Sequence, residues 1–285
     1  MRTDHAVPFV GIMSRTGRRG IVHLFLLAGA VLMLLPFIWM LSTSLKNPVE
    51  ALQFPPTWLP QAPRFANYVE AWRAVPFPRY FFNTVLVTVA VLTGTLISSC
   101  LAAYAFARME FRGREVLFFG FLAVMMVPMP VYLVPSYLIM SKLGWIDTYL
   151  ALIVPWTASV FTIFLLRQHF RAIPRELYEA AVIDGCSRLG FLWRVVLPLS
   201  RAVLVTVALF SIIGSWNSFM WPLVMVNSKL LRPIQVGLAY FAQGEATEYT
   251  LLMAASTFCI APLVLLFFVA QRQIIESYAK TGLKE

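Results

Sequence analysis

Glu179, Ala180, Ala181, Asp184 and Gly185 stand close together in the chain, and Leu197-Pro198 follows in the same connecting segment. The run EAAVIDGCSRLGFLWRVVLP sets a carboxylate beside two very small side chains, then a second carboxylate and a glycine. That set suits contact rather than bond-making. Small residues let another backbone approach closely, and a glycine turns the chain. Acid–base or covalent catalysis would need paired carboxylates, a histidine or an activated nucleophile. The three histidines (His5, His23, His169) lie in separate segments. Cys100, Cys186 and Cys259 have no metal-ligand spacing. Neither a GxxxxGK[ST] loop nor a Gly-rich phosphate cradle occurs. The chain is therefore expected to be no enzyme and to hold no metal or cofactor.

Residues 171–201 read as two helices around a tight turn. Pro174 suits a helix start, where amide donors are unpaired anyway. Glu176 and Glu179 follow at the positive end of the helix dipole, and Ala180 and Ala181 favour helix strongly. Gly185 stands where a left-handed residue ends a helix. Ser187 can cap a second helix running through Trp193 to Leu197, with Pro198 expected to stop it. Leu189, Phe191, Leu192, Trp193, Val195 and Val196 mix with Arg188 and Arg194, which suits a helix lying partly in a headgroup region. Local physics alone fits either an interfacial hairpin or a docking element.

Apolar residues make up 60 % of the 285-residue chain and charged ones 13 %, against about 45–50 % and ~25 % in soluble domains. An all-α integral membrane protein follows. Six stretches reach the ~20 residues that cross a bilayer as helix: Ile21–Leu45, Phe81–Ala107, Val116–Met140, Tyr149–Leu166, Ala202–Val226 and Tyr249–Ala270. Sixteen of the twenty-three Lys and Arg fall in segments on one side, among them 1–20, 171–201 and 271–285. The basic side faces the cytoplasm, so both termini and the hairpin are expected inside. This bias, with anionic inner-leaflet lipid, explains the net charge of +10 without nucleic acid.

One domain is expected: a cytoplasmic lead-in over 1–20, a membrane domain over 21–270 and a cytoplasmic tail over 271–285. Its external segment 46–80 carries seven of the eighteen prolines and reads as extended, with one or two helical turns at FANYVEAW. Pro128, Pro130 and Pro135 should kink span three, either as a packing feature or as a bend lining a path. The six spans contain no Asp, Glu, Lys or Arg. Ion-coupled carriers usually keep such groups at membrane depth, so an outside energy source is expected. An autonomous carrier or channel is the alternative. Asn83, Tyr132, Trp216 and Asn217 are the polar and aromatic candidates for a solute path, each equally suited to helix packing.

The hairpin run resembles the coupling loop of ABC-importer permeases. FLLRQHFRAIPRELYEAAVIDG, WNSFMWPL, YTLLMAAS, the closing QRQIIESYAKTGLKE and the external LQFPPTWLPQAPRFANYVEAW are similar to the carbohydrate-importer branch, maltose-type second permease. The resemblance implies a type I importer fold of about six transmembrane helices in a prokaryotic inner membrane. It also implies a second homologous permease, two ATPase subunits carrying ATP and Mg, and an extracytoplasmic solute-binding protein. Glu179, Ala180 and Ala181 would enter a cleft on the ATPase. Asp184 belongs to the same contact, Gly185 would make the turn, and Leu197-Pro198 would return the chain to span five. Gln271 and Lys284 in the tail would reach toward the ATPase dimer. Tyr178, Ala202 and Ser277 depart from the usual pattern.

Overall fold

A computed structural model describes residues 15–242 and 248–281, with side chains over 20–242 and 248–271. Every regular element among them is helical. In order they are α1 (Arg15–Ser44), α2 (Pro48–Leu52), α3 (Ala66–Ala74), α4 (Phe77–Arg108), α5 (Arg114–Val124), α6 (Met129–Lys142), α7 (Tyr149–Ile153) and α8 (Val160–Ala172). Then come α9 (Arg175–Ile183), α10 (Arg188–Phe191), α11 (Leu197–Leu199), α12 (Arg201–Trp216), α13 (Met220–Met225), α14 (Ile234–Leu238) and α15 (Tyr249–Thr281).

Four stretches are long and apolar enough to cross a bilayer: Gly20–Ser44, Phe77–Arg108, Tyr149–Ala172 and Tyr249–Gln271, the third interrupted at residues 157–159 ahead of α8. The backbone departs from the expected spans at two others. Span three is not a kinked helix but α5 and α6 set at 100°. Met125, Met126 and Val127 close α5 with tightened bonds to Leu122, Ala123 and Val124, and Pro128 and Pro130 start α6 without amide donors. Span five does not run unbroken to Val226. It ends at Trp216, and α13 resumes at Met220. Pro222 has no N–H for the Ser218 carbonyl and its ring crowds that oxygen, which favours a break there.

The unbroken α4 is the spine, packed against α8 and α12 along its length. One buried cluster at its later end joins Tyr104 and Phe106 to Phe118, Leu166, Phe170, Phe191 and Leu192. A second at its start joins Phe77 and Tyr80 to Ala71, Ile234, Ala254 and Cys259. By contrast, none of the most apolar window of α1 is buried, although it runs beside α15.

The proline-rich segment over 46–80 is folded rather than extended. Asn67, fully buried, donates to the Ser44 and Lys46 carbonyls at 2.8 and 2.7 Å, and the Arg64 amide donates to the Leu45 carbonyl at 2.8 Å. These bonds close residues 45–64 into a loop. Inside it, the Lys46 ammonium donates to the Thr57 carbonyl and lies 4.3 Å from the Trp39 ring centroid. Glu50 accepts from the Gln61 amide at 2.9 Å and the Thr57 hydroxyl at 3.2 Å. Periodicity could not show this, because each bond joins residues far apart in sequence.

Candidate functional site

The hairpin forms as its local sequence dictates. α9 begins directly after Pro174, with Glu176 in its first turn. It ends in paired closing bonds, from the Gly185 amide to the Val182 carbonyl at 3.0 Å and from the Cys186 amide to the Ala181 carbonyl at 2.8 Å. Gly185 has φ +73°, a region glycine enters without a Cβ penalty. The Ser187 hydroxyl accepts from the Gly190 amide at 3.1 Å, capping α10. Pro198 does not stop the second helix. A π-helical stretch over Leu192–Val196 widens the coil, the Leu197 amide reaching the Leu192 carbonyl. The helix runs on to Leu199 and turns by 83° at Ser200 into α12.

The hairpin has two unlike faces. Underneath, Phe191, Leu192 and Val196 are fully buried, and the Tyr178 ring meets Phe191 edge-on at 5.1 Å. The Tyr104 hydroxyl of α4 donates to the Arg188 carbonyl at 2.9 Å. Above, Glu179, Ala180, Asp184 and Gly185 are exposed and Ala181 is half-buried. Large apolar side chains surround them, Ile183 being 86 % exposed and Val182 51 %. The one ion pair on this face, Arg175–Glu179 at 3.5 Å, is open to solvent. Leu197 is half-buried and Pro198 exposed. The outer face thus combines exposed apolar side chains with the carboxylates of Glu179 and Asp184, on a buried base.

Two arginines at the same end were not singled out from sequence. Pro174 has no amide to offer the Phe170 carbonyl, and Arg108 of α4 fills that place, its Nε donating at 3.1 Å. Its Nη2 donates to the Ile173 carbonyl. Arg167 of α8 pairs with both Glu115 oxygens at 2.9 and 2.8 Å. The proline seven residues after an arginine-rich span end was the available signal.

The solute-path candidates differ in burial and in partners. Asn83 is fully buried, donating to the Leu230 and Arg232 carbonyls at 2.8 and 3.0 Å and accepting from the Tyr149 hydroxyl at 2.6 Å. Trp216 is buried, its indole donating to the Cys259 carbonyl at 3.0 Å. Asn217 is exposed and accepts from Gln235 at 3.2 Å. Tyr132 is half-buried on α6. Gln271 donates to the Phe268 carbonyl at 3.1 Å, and Lys284 lies outside the described residues. Among the described residues no three His, Cys, Asp or Glu gather as metal ligands.

Residues 94–279 match the family described as binding-protein-dependent transport system inner membrane component. The chain belongs to that family. The sulfoquinovosyl glycerol transport system permease protein SmoH of Agrobacterium fabrum is 35 % identical over 88 % of this chain and 89 % of its own. The trehalose/maltose transport system permease protein MalG of Thermococcus litoralis is 34 % identical over 92 % and 97 %. A crystal structure of a bacterial ABC transporter importing the acidic polysaccharide alginate holds a chain 28 % identical. It superposes at TM-score 0.80, covering 92 % of this chain and 99 % of that one. This protein is thus a multi-pass permease subunit of a type I ABC importer, and ATP hydrolysis belongs to another subunit. The permease's hairpin occupies the part of the sequence from which the coupling role was inferred.

Proposed function

We propose that the permease takes up a sugar or sugar-like solute, with a second homologous permease, two ATPase subunits and an extracytoplasmic solute-binding protein. ATP and Mg reside on the ATPase. Both termini and the hairpin face the cytoplasm. Closure of the ATPase dimer pushes on α9 and α10, and alternating access follows in the spans. Glu179, Ala180 and Ala181 enter the ATPase cleft, and Gln271 and Lys284 lie toward the ATPase dimer.

The observation carrying this reading is the two-faced hairpin: its base is buried and bonded to α4, while the large apolar side chains of its outer face, Val182 and Ile183, stay exposed among the described residues. The solute class rests on relatives whose names carry sulfoquinovosyl glycerol and trehalose/maltose. The exposed apolar surface of α1 fits lipid and the second permease.

Cysteine at 180 in the assembled importer tests the docking. A bifunctional maleimide should join it to the ATPase subunit, and an impermeant thiol reagent outside intact cells should leave it unlabelled. Labelling from outside would overturn the orientation and the docking together. Uptake of radiolabelled sugars and sugar derivatives, offered with the cognate binding protein, tests the solute class. Uptake of amino acids or metal ions instead would overturn it.

A further inference from the structure

We propose that Arg167 and Glu115 form the joint through which the hairpin moves the broken third span, both acting as positioning residues. This rests on the functional reading above and adds the route from the hairpin into the bundle.

Arg167 is 4 % exposed at its side chain and touches two other spans at once. Its Nε donates to the Phe106 carbonyl of α4 at 3.3 Å, and its Nη2 meets both carboxylate oxygens of Glu115 on α5. Its guanidinium also lies 3.8 Å from the Phe118 ring centroid, one turn along α5. The planar fork fixes direction as well as distance, which an apolar contact would not.

The chain leaves little slack between this residue and the hairpin. α8 ends at Ala172 and α9 starts at Arg175. Arg108 holds the Phe170 and Ile173 carbonyls across that gap. Displacement of α9 must therefore shift the end of α8, and Arg167 passes that shift to the first turn of α5. Ten residues beyond Glu115, α5 reaches the turn where span three bends by 100°. A push at the hairpin so arrives beside the 100° break of span three.

The test is Glu115→Gln in the full importer, reconstituted in vesicles with its binding protein. Glu115 is about half exposed, and Gln keeps its shape while removing its charge. The ratio of solute-stimulated to basal ATPase activity should fall at least about fivefold, the lower end of usual coupling strengths. Basal rate, complex yield and melting midpoint should match the parent. Arg114→Gln is the control. It removes the other partner of the carboxylate, at 3.1 Å, and should leave the ratio unchanged. Retained stimulation in the Glu115 variant would overturn the proposal. So would an equal loss in the Arg114 variant, or a loss that tracks a lowered midpoint or yield. No stimulation in the unmodified complex would instead overturn the functional reading, and the joint with it.

Discussion

The loop over 45–64 and the hairpin over 171–201 are both connections between spans, held together in opposite ways. The loop turns Lys46 and Glu50 inward, 1 % and 5 % exposed, and leaves only Arg64 at its end partly open. Its shape depends on main-chain acceptors gathered from distant residues. The hairpin turns its charges outward and takes its shape from caps, a glycine and a proline within a few residues of where they act. A connection folded by long-range polar bonds is a fixed part of the fold. One folded by local rules on an apolar base can keep its shape while it moves as a body.

That contrast is broken first by Gly185→Val. At φ +73° a Cβ costs about 1–2 kcal/mol, and β-branching adds to it. The turn should deform and solute-stimulated ATPase activity should vanish, with membrane insertion unchanged by fractionation. Glu179→Lys should abolish stimulation too, with no change in folding. Asn67→Ala attacks the loop. It strips two bonds from buried carbonyls, each worth about 1–3 kcal/mol when left unpaired. The melting midpoint should drop and residues 45–64 should become open to protease.

A smaller effect is expected of Gly237→Ala, whose Cβ would stand 2.3 Å from Tyr80 Cδ2. Overpacking of this kind costs about 1–3 kcal/mol, and thermal unfolding of the purified complex should show it. Arg175→Ala should change stability by less than about 0.5 kcal/mol, since its pair with Glu179 is exposed. A larger loss would mean that the hairpin's outer face is held by charge, against the contrast drawn above.

The same contrast explains what could be read in the sequence. The helix ends at Pro174, Gly185 and Ser187 follow from residues next to them, so the hairpin was legible almost to the residue. The apolar runs located the spans, because span length is a local property. Pro128 and Pro130 pointed to a kink, whereas the helix breaks by 100°, an outcome that depends on what packs around the bend. Pro198 looked like a stop, yet a π-helical stretch absorbed it. Asn83 suited a solute path and helix packing equally well in the sequence. Its partners, Leu230 and Arg232, lie about 150 residues away, beyond any local pattern. Arg108 and Arg167 counted in the sequence only as topology signals, and their partners became visible in the fold.

Directed transport by a permease whose ATP hydrolysis belongs to another subunit requires work delivered from outside the chain. The most direct test is uptake by the two permeases alone, reconstituted without the ATPase subunit under imposed proton and sodium gradients. The account predicts no accumulation until the ATPase subunit and ATP are added. Concentrative uptake in their absence would contradict it.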